Sequence, residues 1–204
     1  MFKQISKELR RHAPFTLFGA ATGIIIMLFF QKMPSKVSYN LFYVFHPAHV
    51  LLSALATASM YELHKCPVER KKCNLFILLI IGYFGSIGIA TLSDSVIPYF
   101  GETLLKMPQR EVHLGFIEKW WLINPLAIIG IAIAYFRPST KFSHYGHVLL
   151  STWASLFHMI MAGGQPLNLI SYGAVLIFLF LAVWIPCCVS DIVFPLLFIR
   201  DRKK

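Results

Sequence analysis

The chain has 204 residues, 57% of them hydrophobic, 15% aromatic and only 14% charged, with a mean hydropathy of +0.65. Soluble domains carry about a quarter charged residues, and the apolar residues here run in long blocks, which excludes a soluble globular domain, a disordered chain and a secreted disulfide scaffold. The formal charge of +10 falls beside those blocks without interleaved stacking aromatics, so it marks membrane flanks rather than a nucleic-acid surface.

The fold expected is all-α, a polytopic integral membrane protein with six transmembrane helices. Crossing about 30 Å of hydrocarbon takes about 20 helical residues, and six segments qualify in chain order. Lys3, Lys7, Arg10 and Arg11 precede the first, 14–31, which lacks a small-residue cleavage site and reads as a retained span. The others are 41–62, 74–97, 119–136, 145–162 and 167–186, followed by an apolar tail at 192–199. Pro34, Pro67, Pro98, Pro108, Pro138, the Ala-Gly-Gly-Gln-Pro turn at 162–166 and Pro186 punctuate them.

Orientation follows from the basic residues outside the spans. Segments 1–13, 63–73, 137–144 and 200–204 hold 14 of the 19 Lys and Arg, which puts both termini in the cytoplasm. Trp120 and Trp121, beside Lys119, are placed to anchor the fourth span at the outer headgroups. Cys66 and Cys73 lie too far apart for a zinc-knuckle pair, and adjacent Cys187 and Cys188 rarely bridge each other, so reduced thiols are expected.

The chain carries an internal duplication. His46-Pro-Ala-His49-Val-Leu-Leu-Ser-Ala-Leu-Ala in the second span matches His144-Tyr-Gly-His147-Val-Leu-Leu-Ser-Thr-Trp-Ala in the fifth at seven of eleven positions, 98 residues apart. Ser93-Asp94-Ser-Val-Ile-Pro98 matches Ser190-Asp191-Ile-Val-Phe-Pro195 at an offset of 97. Shared span composition explains Val-Leu-Leu but not histidine pairs and Ser-Asp in matched order. Three spans per repeat invert the second copy, which gives a 3+3 inverted repeat, 1–100 and 101–204, a plan frequent among transporters.

Ionisable side chains inside a membrane are costly and mark function. Histidines at i and i+3 project from one helix face, so His46/His49 with Asp94, and His144/His147 with Asp191, are two candidate sites for Zn, Fe, Mn, Co or Ni. The topology sets the first pair in the outer third of its span and the second near the inner face. His158, eleven residues after His147, is a further ligand for the outer site. Cys187 and Cys188 are options for the inner one, as is His64. Glu102, Glu111 and His113 are placed to form an outer funnel, and Ser53 and Ser151 to support the histidines. Pro98 and Pro195 are expected to end or kink their helices.

The function expected is a metal-ion transporter or channel whose partners are the bilayer and the ion, with homo-oligomers compatible. A membrane-embedded metalloenzyme and a b-type haem carrier are alternatives. The first lacks an HExxH or serine-histidine elbow. The second accounts for histidines fourteen or fifteen residues apart but not for the aspartates. A purely structural membrane protein is the fourth possibility.

Overall fold

The computed structural model describes residues 2–30, 32–65, 74–139, 141–163, 168–189 and 194–198. Within these it describes all side chains but those of residues 2–8, 11, 12, 65, 141–144, 188 and 196. The described residues contain helices and no strand. In order these are α1 (Phe2–Phe30), α2 (Ser35–Lys65), α3 (Leu75–Thr91), a π-helical segment (Leu92–Val96), α4 (Ile97–Leu104), the single turn α5 (Gly115–Glu118), α6 (Trp120–Phe136), α7 (Lys141–Ala162), α8 (Leu169–Cys188) and the short α9 (Phe194–Leu197).

Local chemistry fixes the boundaries. Asn74 caps α3, its side-chain oxygen accepting from the Phe76 and Ile77 amides at 3.0 and 3.4 Å. Asn168 caps α8 in the same way through Ser171 at 2.8 Å. Pro98 does not end its helix. The preceding residues open into a π turn in which the Ile97 amide bonds the Leu92 carbonyl, so the chain passes the proline without breaking. The stretch from Leu75 to Leu104 is therefore one 30-residue span.

Among the described residues, four helices are long and apolar enough to cross a membrane: Ala13–Phe30, Ser35–His64, Leu75–Leu104 and Leu169–Cys187. Two of the six expected spans fall short of that description. α6 is apolar but has 17 residues, about 25 Å. α7 is long enough, yet its sequence mixes histidine, serine and threonine with the apolar residues. Large apolar side chains such as Phe18, Phe29, Phe76, Phe84 and Phe136 are exposed, as expected of a surface that lipid covers.

α2 and α7 lie side by side at the centre. α1 and α8 pack on one flank, where Ala20, Met27, Phe42, Leu156, Met159 and Leu179 form the largest apolar cluster. α3 and α6 pack on the other, around Ala54, Ala58, Leu78, Ile81, Ile131 and Ala134. Gly130 lets α6 approach closely. A side chain there would collide with the Leu51 carbonyl and come within 2.9 Å of Ala54 Cβ.

Candidate functional site: a buried histidine and carboxylate network

The middle of the bundle is polar. Ser93, Asp94 and Ser95 are all fully buried, although three consecutive residues span about 200° of a regular α-helix. The wider π turn brings them together toward α2 and α7. Such π-bulges recur at functional sites.

The Asp94 carboxylate is saturated. Its Oδ2 faces His46 Nδ1 at 2.9 Å and His49 Nδ1 at 2.7 Å. Its Oδ1 accepts from the Ser93 and Ser151 hydroxyls, each at 2.7 Å. A carboxylate only accepts, so both imidazoles donate through Nδ1, and a neutral ring then carries its lone pair on Nε2. Both Nε2 atoms are buried and have no hydrogen-bond partner among the described residues. An unsatisfied buried acceptor costs about 1–3 kcal/mol. The rings are held in place by stacking: His46 on Phe42 at 5.1 Å and His49 on His147 at 5.7 Å between centroids. Gly115 packs its backbone closely against His46, since a Cβ there would lie 2.7 Å from Nε2.

A second centre lies toward the end of α7. His158 Nδ1 bonds Glu102 Oε1 at 2.6 Å, and both side chains are buried. His158 Nε2 is 3.2 Å from Ser95 Oγ, which also accepts from the His113 amide at 3.0 Å. The connecting segment closes over this end. Its Gln109 amide donates to the last carbonyl of α7, at Ala162. Glu118 accepts from Tyr43 at 2.7 Å, from His113 Nδ1 at 3.2 Å and from the Leu114 amide at 3.0 Å. Burial pushes the Glu118 carboxyl up, but these hydrogen bonds and the His113 charge outweigh it and hold the group below the ordinary carboxylate range.

The expected site residues divide accordingly. His46, His49 and Asp94 meet as a unit, but Asp94 orients the imidazoles instead of standing beside them as a third ligand. His158 is not brought to Asp94, because both of its ring nitrogens are engaged elsewhere. His147 does not sit at the opposite face from His49; the two stack. α2 begins at Ser35 and α7 at Lys141, several residues before the expected spans, and the two helices pack side by side with His49 against His147. Cys187 packs against Val148 and Val183. His64 is exposed and bonds the Met60 carbonyl of its own helix at 2.9 Å. The His144 and Cys188 side chains, Asp191, Ser190, Cys66 and Cys73 lie outside the described residues. Glu102 is buried rather than lining a funnel.

Sequence reading missed Ser95, Glu118 and Tyr43 as members of the network; a buried polar residue beside Asp94 was the available signal for Ser95 alone. Among the described residues, no three His, Cys, Asp or Glu side chains are disposed to hold a metal ion between them. No family model matches the chain, and comparison with curated proteins and with solved structures finds no match.

Proposed function

We propose that this is a multi-pass integral membrane protein that binds a divalent transition-metal ion through the Nε2 atoms of His46 and His49 and moves that ion across the bilayer as a transporter or channel. The observation that carries the reading is the pair of buried, unpartnered Nε2 atoms on rings whose Nδ1 atoms share Asp94 Oδ2. A carboxylate on one imidazole nitrogen with the other nitrogen open is the usual support for a metal-bound histidine.

Two imidazoles leave most of an ion's coordination positions to water or to passing ligands. That suits an exchangeable Zn, Mn, Fe, Co or Ni ion better than a structural zinc, which takes four protein ligands. The saturated Asp94 raises ligand basicity and fixes both rings before the ion arrives, which lowers the cost of binding.

In this reading α6 and α7 complete six spans, with both termini cytoplasmic. The flanking pattern supports an inverted repeat: α1 of the first half packs on α7 and α8 of the second, and α6 of the second packs on α2 and α3 of the first. The duplicated His144/His147 pair with Asp191 is the expected counterpart site, adjoining the first at the His49–His147 stack. A binding region near the middle of the helices is what alternating access requires.

The test is metal stoichiometry of the purified protein by mass spectrometry, with uptake into proteoliposomes. The His46→Ala/His49→Ala double variant is expected to lose one bound equivalent and to abolish uptake. Unchanged stoichiometry in that variant contradicts the assignment.

A further inference from the structure

Glu102 and His158 are the other buried ionisable pair in the described bundle, and the metal reading leaves them without a task. We propose that they form a proton-exchange site that discharges when an ion binds at His46/His49 and reloads when it leaves, making the protein a metal–proton exchanger. The exchange rests on the metal reading; the proton site itself does not.

The geometry favours a dissociable proton over a static ion pair. Glu102 Oε1 holds His158 Nδ1 at 2.6 Å, but its Oε2 is buried and has no partner among the described residues. A structural carboxylate in so dry a place would have both oxygens satisfied. In the discharged state His158 is neutral, donates Nδ1–H to Oε1 and accepts the Ser95 hydroxyl proton at Nε2. The pair then carries one uncompensated negative charge. Loading adds one solvent proton at His158 Nε2, which then donates to Ser95 Oγ, and the pair becomes neutral. Only an N–H bond forms or breaks.

The surroundings supply a route and little compensation. The loop presents His113, whose ring lies 5.4 Å edge-on from that of His158, and Glu118, whose side chain is 33% exposed. Lys119 of the same loop sits over Tyr39 and Tyr43 instead. The π segment presents Asp94 and Ser95, and α2 presents Tyr43 and His46. α8 packs Phe178 against Gly101 and has no charged residue in its sequence. His113 and Glu118 thus connect the pair to the protein surface, and among the described residues no Lys or Arg side chain forms an ion pair with it.

The two centres are close enough to sense each other. The Phe42 ring lies between them, 5.1 Å from His46 and 5.4 Å from His158. Charges about 10 Å apart at an effective dielectric of about 20 alter each other's occupancy about tenfold. An ion turns the His46/His49/Asp94 centre from one net negative charge to one net positive, which favours a deprotonated Glu102–His158 pair beside it.

The experiment uses the full chain in lipid nanodiscs. Metal-free infrared difference spectra between alkaline and acidic pH are expected to contain an imidazole-to-imidazolium band that His158→Gln removes and whose midpoint Glu102→Gln moves down; Glu102→Asp should retain a shifted band. Calorimetric Zn²⁺ titrations in buffers of different ionisation enthalpy should then give about one more proton released per ion in the wild type than in Glu102→Gln. A pH spectrum that neither substitution changes overturns the proton site. Equal proton release in the two proteins overturns the exchange. Failure of the wild type to bind Zn²⁺ overturns the metal reading and the exchange with it, while the metal-free spectra still decide the proton site.

Discussion

His46 and His49 differ from ordinary buried histidines in which nitrogen is satisfied. A core histidine kept for packing has both nitrogens hydrogen-bonded; these two give Nδ1 to Asp94 and keep Nε2 open. Gly115 packs beside this nitrogen and tests its surroundings directly. A methyl group there would sit 2.7 Å from His46 Nε2, so Gly115→Ala should weaken metal affinity about tenfold or more, read by equilibrium dialysis, with helix content by circular dichroism unchanged. Asp94→Asn keeps the shape but removes the acceptor shared by two donors, and a loss of about 10–100-fold in affinity is expected for such a supporting group. Glu118 gives a pH dependence of known sign. Its folded carboxyl lies below its ordinary value of 4.5, so the stability it adds is fully present above that value and is lost as pH falls through the lower folded value. The melting temperature of the wild type should exceed that of Glu118→Gln by a constant margin at neutral pH, and the margin should shrink below about pH 4.5.

At the scale of elements, the helices were legible because long apolar runs and proline or glycine breaks are local signals. The histidine pairs and Asp94 were legible because ionisable groups inside apolar runs stand out against their neighbours. The π turn was not legible. Leu-Ser-Asp-Ser-Val carries no periodic mark of a wider turn, and Pro98, read alone, argues for a break. For the same reason Ser95 and the Glu102–His158 contact stayed hidden, since both depend on how the π turn rotates the chain after Asp94. The start of α2 was misplaced too: hydropathy alone began it six residues late, because Ser35 to Asn40 are mostly polar. The close α2–α6 contact has its own consequence. Gly130→Leu would drive a side chain into the Leu51 carbonyl and Ala54, and overpacking of this kind costs about 1–3 kcal/mol. Thermal unfolding in detergent should show the loss, with Gly173→Leu as the control, since a Cβ at Gly173 meets nothing within 4 Å.

Across the whole molecule, an apolar perimeter surrounds a polar seam that runs between α2 and α7. Burying so many hydroxyls, imidazoles and carboxylates is unfavourable unless they are paired, and in this seam they are paired with each other, except at a few atoms. Among those exceptions are His46 Nε2 and His49 Nε2, where the account puts an exchangeable metal ion, and Glu102 Oε2, on the carboxylate that holds the proton-exchanging His158. The cover formed by Gln109, His113, Gly115 and Glu118 closes one end of the seam. On the proposed metal reading, it would have to lift for an ion to reach His46 from this end. The most direct measurement is X-ray absorption at the metal edge of the zinc-loaded wild-type protein. The account predicts scattering from two imidazole rings bound at about 2.0–2.1 Å, lost in the His46→Ala/His49→Ala variant. A zinc shell without imidazole scattering, or one that survives the double substitution intact, would contradict it.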